Sequence, residues 1–167
     1  LALASPAGDA LARLHGETWV SRSFALSDLG FGEDVLLNGY DSRQEFYLPV
    51  PRTLRLADAS IDFRGRYYKA EEGRTSMLLF VNGRPVHSRR IDTSEGDPSQ
   101  VLKVDVTKPA NGFLRFRVDW LNNVGQRICD VERSTGNVLA VSNDTRFNYR
   151  FSSAALTSLA DAWLTLP

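Results

Sequence analysis

Between Thr18 and Phe151 apolar and polar residues alternate in short runs separated by turn residues, the pattern of consecutive β-strands. Ser23–Leu26 alternates with Phe24 and Leu26 on one face, until Leu29-Gly30-Phe31-Gly32 breaks it. Glu45–Val50 sets Phe46, Leu48 and Val50 against Tyr47, and Pro49 and Pro51 mean that this strand is at an edge or ends there. Thr53–Tyr68 reads as one long or bent strand with Gly65 at a bulge. Ile61, Phe63 and Tyr67 share one of its faces; Asp62, Arg64, Arg66 and Tyr68 share the other. Ser76–Val81 is continuously apolar, as a central strand is, and Asn82-Gly83 turns it into Arg84–Ile91 as a hairpin. Leu102, Val104 and Val106 then alternate with Val101, Lys103 and Asp105, and Pro109–Gly112 turns the chain. Leu114, Phe116, Val118 and Trp120 oppose Phe113, Arg115, Arg117 and Asp119. A short strand at Val138–Ser142 precedes Thr145–Phe151, where Phe147, Tyr149 and Phe151 oppose Arg146, Asn148 and Arg150.

Strands with a turn about every ten residues predict an all-β chain folded as an antiparallel β-sandwich or jelly roll. The pattern changes at Ser152. Ser153 caps a predicted short C-terminal helix in which Leu156, Leu159, Ala160 and Trp163 follow helical spacing. Residues 1–18 read as a loose lead-in with a short helical turn around Asp9–Leu14, residues 19–151 as the sandwich, and residues 152–167 as a helix or linker toward a further domain.

The chain has 167 residues, enough for one domain with a real core. Its 20 basic and 20 acidic residues give zero net charge. That argues against a general nucleic-acid binder and against electrostatic membrane attachment. No apolar run approaches the roughly 18–20 residues of a membrane span. The single cysteine, Cys129, excludes an intrachain disulfide, reads as a small buried side chain and leaves the redox compartment open. The chain starts at Leu1, and its only methionine is Met77, so it reads as a processed or excised piece. Arginine outnumbers lysine 17 to 3, which supplies many planar donors.

Catalytic signals are thin. There is no Gly-x-Ser-x-Gly elbow, phosphate loop or His-Glu-x-x-His motif. His15, His87 and Cys129 do not make a zinc site, and no metal or cofactor is expected. Asp62 and Asp119 are the carboxylates to weigh as a hydrolytic pair, and solvated strand faces are the preferred reading of both. Arg146 and Arg150 have the spacing of one class of cyclic-di-GMP receptor, but the companion motif is absent, so an ordinary exposed face is preferred. Sugar binding has the better physical case. Sugar C–H faces lie on aromatic rings, while hydroxyls bond to Arg, Asp and Asn. Tyr68 lies beyond Arg64 and Arg66 on the face that also carries Asp62, Tyr47 is out of phase with the core, and Tyr40 sits in the turn Asn38-Gly39-Tyr40-Asp41. Trp120 is in phase with the core, where burial competes with sugar contact. The candidate carbohydrate-binding set is thus Tyr68, Arg64, Arg66, Tyr40, Tyr47, Asp62 and Trp120, with Leu159 and Trp163 as a candidate protein interface.

Several segments in order resemble one family. They are Ser23-Phe24-Ala25-Leu26-Ser27-Asp28-Leu29-Gly30, Tyr40 to Pro49, Thr75 to Val86 with its Asn82-Gly83 hairpin, Asn111-Gly112-Phe113-Leu114-Arg115-Phe116, and Cys129-Asp130 followed by Ser142 to Tyr149. Over roughly Ser23–Tyr149 the chain resembles the first periplasmic carbohydrate-binding domain of the bacterial cellulose synthase B subunit. Where that family often has a Trp, this chain has Val138-Leu139-Ala140-Val141. The resemblance implies a non-catalytic jelly-roll module in the periplasm, part of a longer protein anchored to the inner membrane. It implies association with the membrane-embedded cellulose synthase catalytic subunit of an exopolysaccharide complex. It also implies guidance of cellulose or a related β-glucan, a neutral polymer suited to a neutral chain. The alternative is a protein–protein interaction domain of such a complex without direct glycan binding. A glycan-active enzyme ranks last.

Overall fold

The computed structural model describes residues 19–50, 56–105, 112–123 and 136–152. Twelve strands are present among them: β1 (Trp19–Ala25), β2 (Val35–Asn38), β3 (Asp41–Pro49), β4 (Leu56–Phe63), β5 (Gly65–Lys69), β6 (Arg74–Val81), β7 (Arg84–Ile91), β8 (Glu95–Gly96), β9 (Gln100–Lys103), β10 (Phe113–Asn123), β11 (Asn137–Val141) and β12 (Arg146–Ser152). A single 3-10 turn, Leu26–Leu29, follows β1, closed by Gly30 at φ 97°. The strands form three antiparallel four-stranded sheets, in the orders β1-β12-β4-β9, β3-β10-β6-β7 and β2-β11-β5-β8.

The first and third of these are two halves of one creased sheet. Their orders correspond strand for strand: β1 leads into β2, β4 into β5, β8 into β9 and β11 into β12. Counting each creased strand once gives the two facing sheets of a jelly roll. The second sheet, β3-β10-β6-β7, packs against the creased one. Phe63 meets Phe116 at a ring separation of 6.1 Å, and Tyr67 meets Trp120 at 6.3 Å.

The alternation decides which residues face inward. Phe46, Leu48, Ile61, Phe63, Tyr67, Met77, Leu79, Leu114, Phe116, Val118, Trp120, Phe147, Tyr149 and Phe151 are all buried in one core. Each fully buried Leu or Phe contributes about 1.5–3 kcal/mol relative to exposure. The β6–β7 hairpin turns at Asn82 (φ 50°) and Gly83 (φ 79°), the left-handed conformations that an Asn-Gly pair accommodates. β3 lies at a sheet edge and β6 inside its sheet, matching the proline and apolar-run signals.

One expected strand is divided. The predicted 53–68 element is β4 and β5, interrupted at Arg64. Opposite the interruption, β11 and β12 also part, and their linking residues supply the bonds the ladder lacks. Arg64 N–H donates to Thr145 Oγ1 at 3.0 Å, while Thr145 Oγ1 and Ser142 N–H donate to Arg64 O at 3.1 and 2.9 Å. Gly65 N–H donates to Ser99 Oγ at 3.2 Å. A Cβ on Gly65 would lie 2.9 Å from Ala140 O, so backbones approach here too closely for any other residue. Gly65 therefore marks a strand break, not a bulge.

Among the described residues there is no α-helix, and no helix is long and apolar enough to cross a membrane. The lead-in 1–18, Cys129 and the predicted helix from Ser153, with Leu159 and Trp163, lie outside the described residues.

Candidate functional site

The crease opens on the outer surface as a shallow polar cleft of about 260 Å³, lined by Asp34, Arg64, Gly65, Arg66, Asp97, Ser99, Ala140 and Ser142. Every creased strand contributes, because the breaks line up across the sheet.

Arg64 stands at its centre. Its Nη2 lies 2.9 Å from Asp62 Oδ2, and its Nη1 lies 2.9 Å from Asp144 Oδ2. The hydrogen bond to Asp62 and that residue's charge, with Asp144 beyond, raise the guanidinium's pKa above its ordinary value. Arg66 is held more loosely: its Nη2 is 4.0 Å from Asp34 Oδ2, and its side chain is 83% exposed. Asp34 also accepts the Asn143 N–H at 3.0 Å. Arg64 is thus a fixed donor and Arg66 a mobile one, beside carboxylates with spare lone pairs. That mixture of donors and acceptors suits a hydroxyl-rich, uncharged ligand.

Asp97, on the far wall, accepts the Ser99 N–H at 2.7 Å. The Ser99 hydroxyl, then its N–H, and more weakly Arg89, hold the Asp97 carboxyl below its ordinary value. Its contribution to stability is present above the pKa of the unfolded chain and is lost as pH falls through the lowered folded value. An NMR titration of the side-chain carboxyls should find Asp97 titrating below a free aspartate. A normal or raised value there would mean that Ser99 does not clamp it.

Beside the cleft the outer face of β2-β11-β5-β8 is partly apolar. Strand register places Leu36, Ala140 and Arg66 in one cross-strand row and Asn38, Val138, Tyr68 and Glu95 in the next. Tyr68 is 57% exposed and Leu36 65% exposed. The Tyr68 phenol ring thus stands two residues along β5 from the exposed guanidinium of Arg66, with Val138 and Ala140 of β11 alongside, an open surface on which a sugar ring can stack.

The structure therefore brings together Asp62, Arg64, Arg66 and Tyr68, and separates the other candidates. Tyr47 is exposed on β3, on the outer face of the opposite sheet. Tyr40 is half-buried in the turn between β2 and β3, where its carbonyl accepts the Asn122 N–H at 2.8 Å. Trp120 as a sugar contact is overturned: it is fully buried, and its indole N–H donates to Asn137 O at 3.1 Å. Its phase with the core outweighs its chemistry. The Asp62–Asp119 pair is excluded because the two project from outer faces of opposite sheets. Asp119 is instead buried against Arg117, whose Nε lies 2.8 Å from Asp119 Oδ1, and burial raises its carboxyl pKa despite Arg117 and Arg43. Arg146 and Arg150 are engaged by Asp144 at 2.7 Å and Asp58 at 2.8 Å. Among the described residues no group of three or more His, Cys, Asp or Glu is placed to hold a metal ion.

Sequence reasoning missed Asp34, Leu36, Asp97, Ser99 and Ser142. Asp34, Asp97, Ser99 and Ser142 sit in strand breaks with no periodicity, and Leu36 lies in a short apolar run, Val35-Leu36-Leu37, that shows no alternation. Only the hydroxyl and carboxylate content of the loops hinted at them.

Residues 20–153 match the family described as "Cellulose synthase BcsB, first CBM domain", CBM denoting a carbohydrate-binding module. The chain belongs to this family. It is accordingly an all-β carbohydrate-binding-module domain of a cellulose synthase subunit. Comparison with curated proteins gives no match. Three solved structures are similar in outline. Dimeric latent PorU from Porphyromonas gingivalis has a TM-score of 0.44 and 9% identity, covering 81% of this chain but 13% of that one. The CBM36-1 domain of a multidomain xylanase from the hindgut metagenome of Trinervitermes trinervoides has a TM-score of 0.37 and 9% identity, over 80% of this chain and 95% of that one. TmCBM61, solved with β-1,4-galactotriose, has a TM-score of 0.31 and 12% identity, over 80% and 87%.

Proposed function

We propose that this domain is a non-catalytic, periplasmic module that holds or steers a β-linked glucan beside a membrane-embedded cellulose synthase catalytic subunit. The observation that carries the reading is the joining of Tyr68 and Arg66 to the polar crease on one open face. Stacking on Tyr68 takes the apolar side of a sugar ring, while Arg66, Asp34 and the crease hydroxyls take its edge. Each contact is solvent-exposed and therefore weak, as suits a guide that must release a moving chain. Family membership supports cellulose or a closely related glucan as the polymer. The wide separation of Asp62 and Asp119 supports a role without hydrolysis.

Titration of the chain with cellohexaose, followed by amide NMR, tests this. Amides of Arg66, Tyr68, Val138 and Ala140 should shift at millimolar sugar, and Tyr68→Ala should remove those shifts. Tyr68 is exposed, so this change should alter stability by no more than about 0.5 kcal/mol. No shift in the wild-type chain at millimolar sugar would sink the proposal. Exposed Leu36, two strands from Tyr68 on the same sheet face, favours a second reading, docking of a neighbouring subunit on that face. Leu36→Glu would then abolish subunit association and leave sugar shifts intact.

A further inference from the structure

The opposite sheet carries an exposed aromatic pair that the crease does not use. Tyr47 on β3 is 57% exposed and Phe113 on β10 is 51% exposed. Pro49 pairs with Phe113 and Tyr47 with Arg115, so the two rings are diagonal cross-strand neighbours. Such positions lie about 7–8 Å apart, so one short oligosaccharide can reach both rings.

The charges around them are paired among themselves. Tyr47 O–H donates to Glu45 Oε2 at 3.0 Å, and Arg115 Nη1 lies 3.9 Å from Glu45 Oε1. Arg43 binds Asp41 at 2.8 Å, and Arg117 lies 2.8 Å from the buried Asp119 while covering the Phe80 ring at 3.9 Å. Asp41, Glu45 and Asp119 therefore offset Arg43, Arg115 and Arg117. The β3–β10 half of this face, where the two rings lie, is thus charge-balanced and complements a neutral ligand. Glu45 is tied down by both Tyr47 and Arg115, which fixes an acceptor and a donor beside the aromatic planes.

We infer that the outer face of β3-β10-β6-β7 is a second glycan-stacking surface, formed by Tyr47, Phe113, Glu45 and Arg115, that takes a neutral β-linked chain independently of the crease. The ligand class rests on the function proposed above; the separate location does not. A domain with both faces occupied holds two stretches of polymer on opposite sides of its core.

The experiment is amide NMR of the full chain with cellohexaose, on wild type, Tyr68→Ala, and the double change Tyr47→Ala with Phe113→Ala. The expected result is shifts on β3 and β10 as well as on β5 and β11. Tyr68→Ala should silence only β5 and β11, and the double change only β3 and β10. Tyr47→Phe, which keeps the ring, should retain the shifts. Shifts confined to β5 and β11 overturn this inference and leave the proposed function standing. Shifts confined to β3 and β10 support it and remove the crease proposal, and no shifts anywhere overturn both. Shifts on β3 and β10 that Tyr68→Ala abolishes, or that arise from raising protein concentration without sugar, also overturn it, the latter by marking the face as a protein contact.

Discussion

Trp120→Ala is expected to destabilise the domain by about 3–5 kcal/mol, the usual cost of removing a fully buried Trp. Trp120 has no exposed surface, packs against Tyr67 and hydrogen-bonds Asn137 O through its indole. Removing it opens a cavity between the two sheets and strands that carbonyl. Domains have roughly 5–15 kcal/mol in total, so the loss is a large fraction of what is there. For a chain of this size the melting temperature should fall by roughly 6–20 °C. Trp120→Phe retains the ring and loses only the donor, so its loss should be about 1–3 kcal/mol. Thermal denaturation followed by circular dichroism checks both. A Trp120→Ala protein that melts with wild type would contradict the burial and reopen Trp120 as a surface residue.

Asn137→Leu should have the next largest effect, at roughly 2–4 kcal/mol, although it trades one side chain for another of similar size. Asn137 sits wholly buried at the start of β11. Its Oδ1 accepts the Glu71 N–H at 2.8 Å, and its Nδ2 reaches Thr75 Oγ1 at 3.2 Å and Asn122 Oδ1 at 3.3 Å. Thr75 in turn donates to Asn122 Oδ1 at 3.0 Å, and Asn122 Nδ2 donates to Gly39 O at 2.6 Å. The network therefore ties the β2–β3 turn to β6, β10 and β11 at one end of the sandwich. Leucine would leave the half-buried Glu71 N–H without this partner and weaken the rest cooperatively. Chemical denaturation of Asn137→Leu, Asn122→Leu and the double variant measures this directly. The double loss should fall short of the sum, as it does for residues sharing one network. Strict additivity would show that the two side chains act separately.

These two residues mark how far the sequence reaches. Period-two alternation placed Phe46, Phe63, Leu114, Phe116, Trp120 and Phe151 on inward faces, and all are buried. Asn82-Gly83 located its hairpin. Trp120 could be read as core because its phase agrees with that of its neighbours along β10. Asn137 could not, because its partners lie 62 to 66 residues away in Thr75 and Glu71 and no local pattern points to them. The division of the 53–68 strand was hidden for a similar reason. It depends on Thr145, Ser142 and Ser99 arriving from elsewhere to satisfy Arg64 and Gly65.

The candidate site divides along the same line. Arg64, Arg66, Asp62 and Tyr68 share a strand face, and a repeat of two along the backbone is a local steric property that any reader of the chain can count. Whether Tyr47 joins them, whether Asp62 and Asp119 meet, and whether Asp34, Asp97 and Ser142 complete the cleft all depend on sheet membership and register. The chain alone therefore settled which side each residue takes, because side-chain direction is dictated by the residue's own backbone. Only the fold decided which sides become one surface, because aligning four strand breaks into a crease requires contacts between segments that adjacency in sequence does not encode.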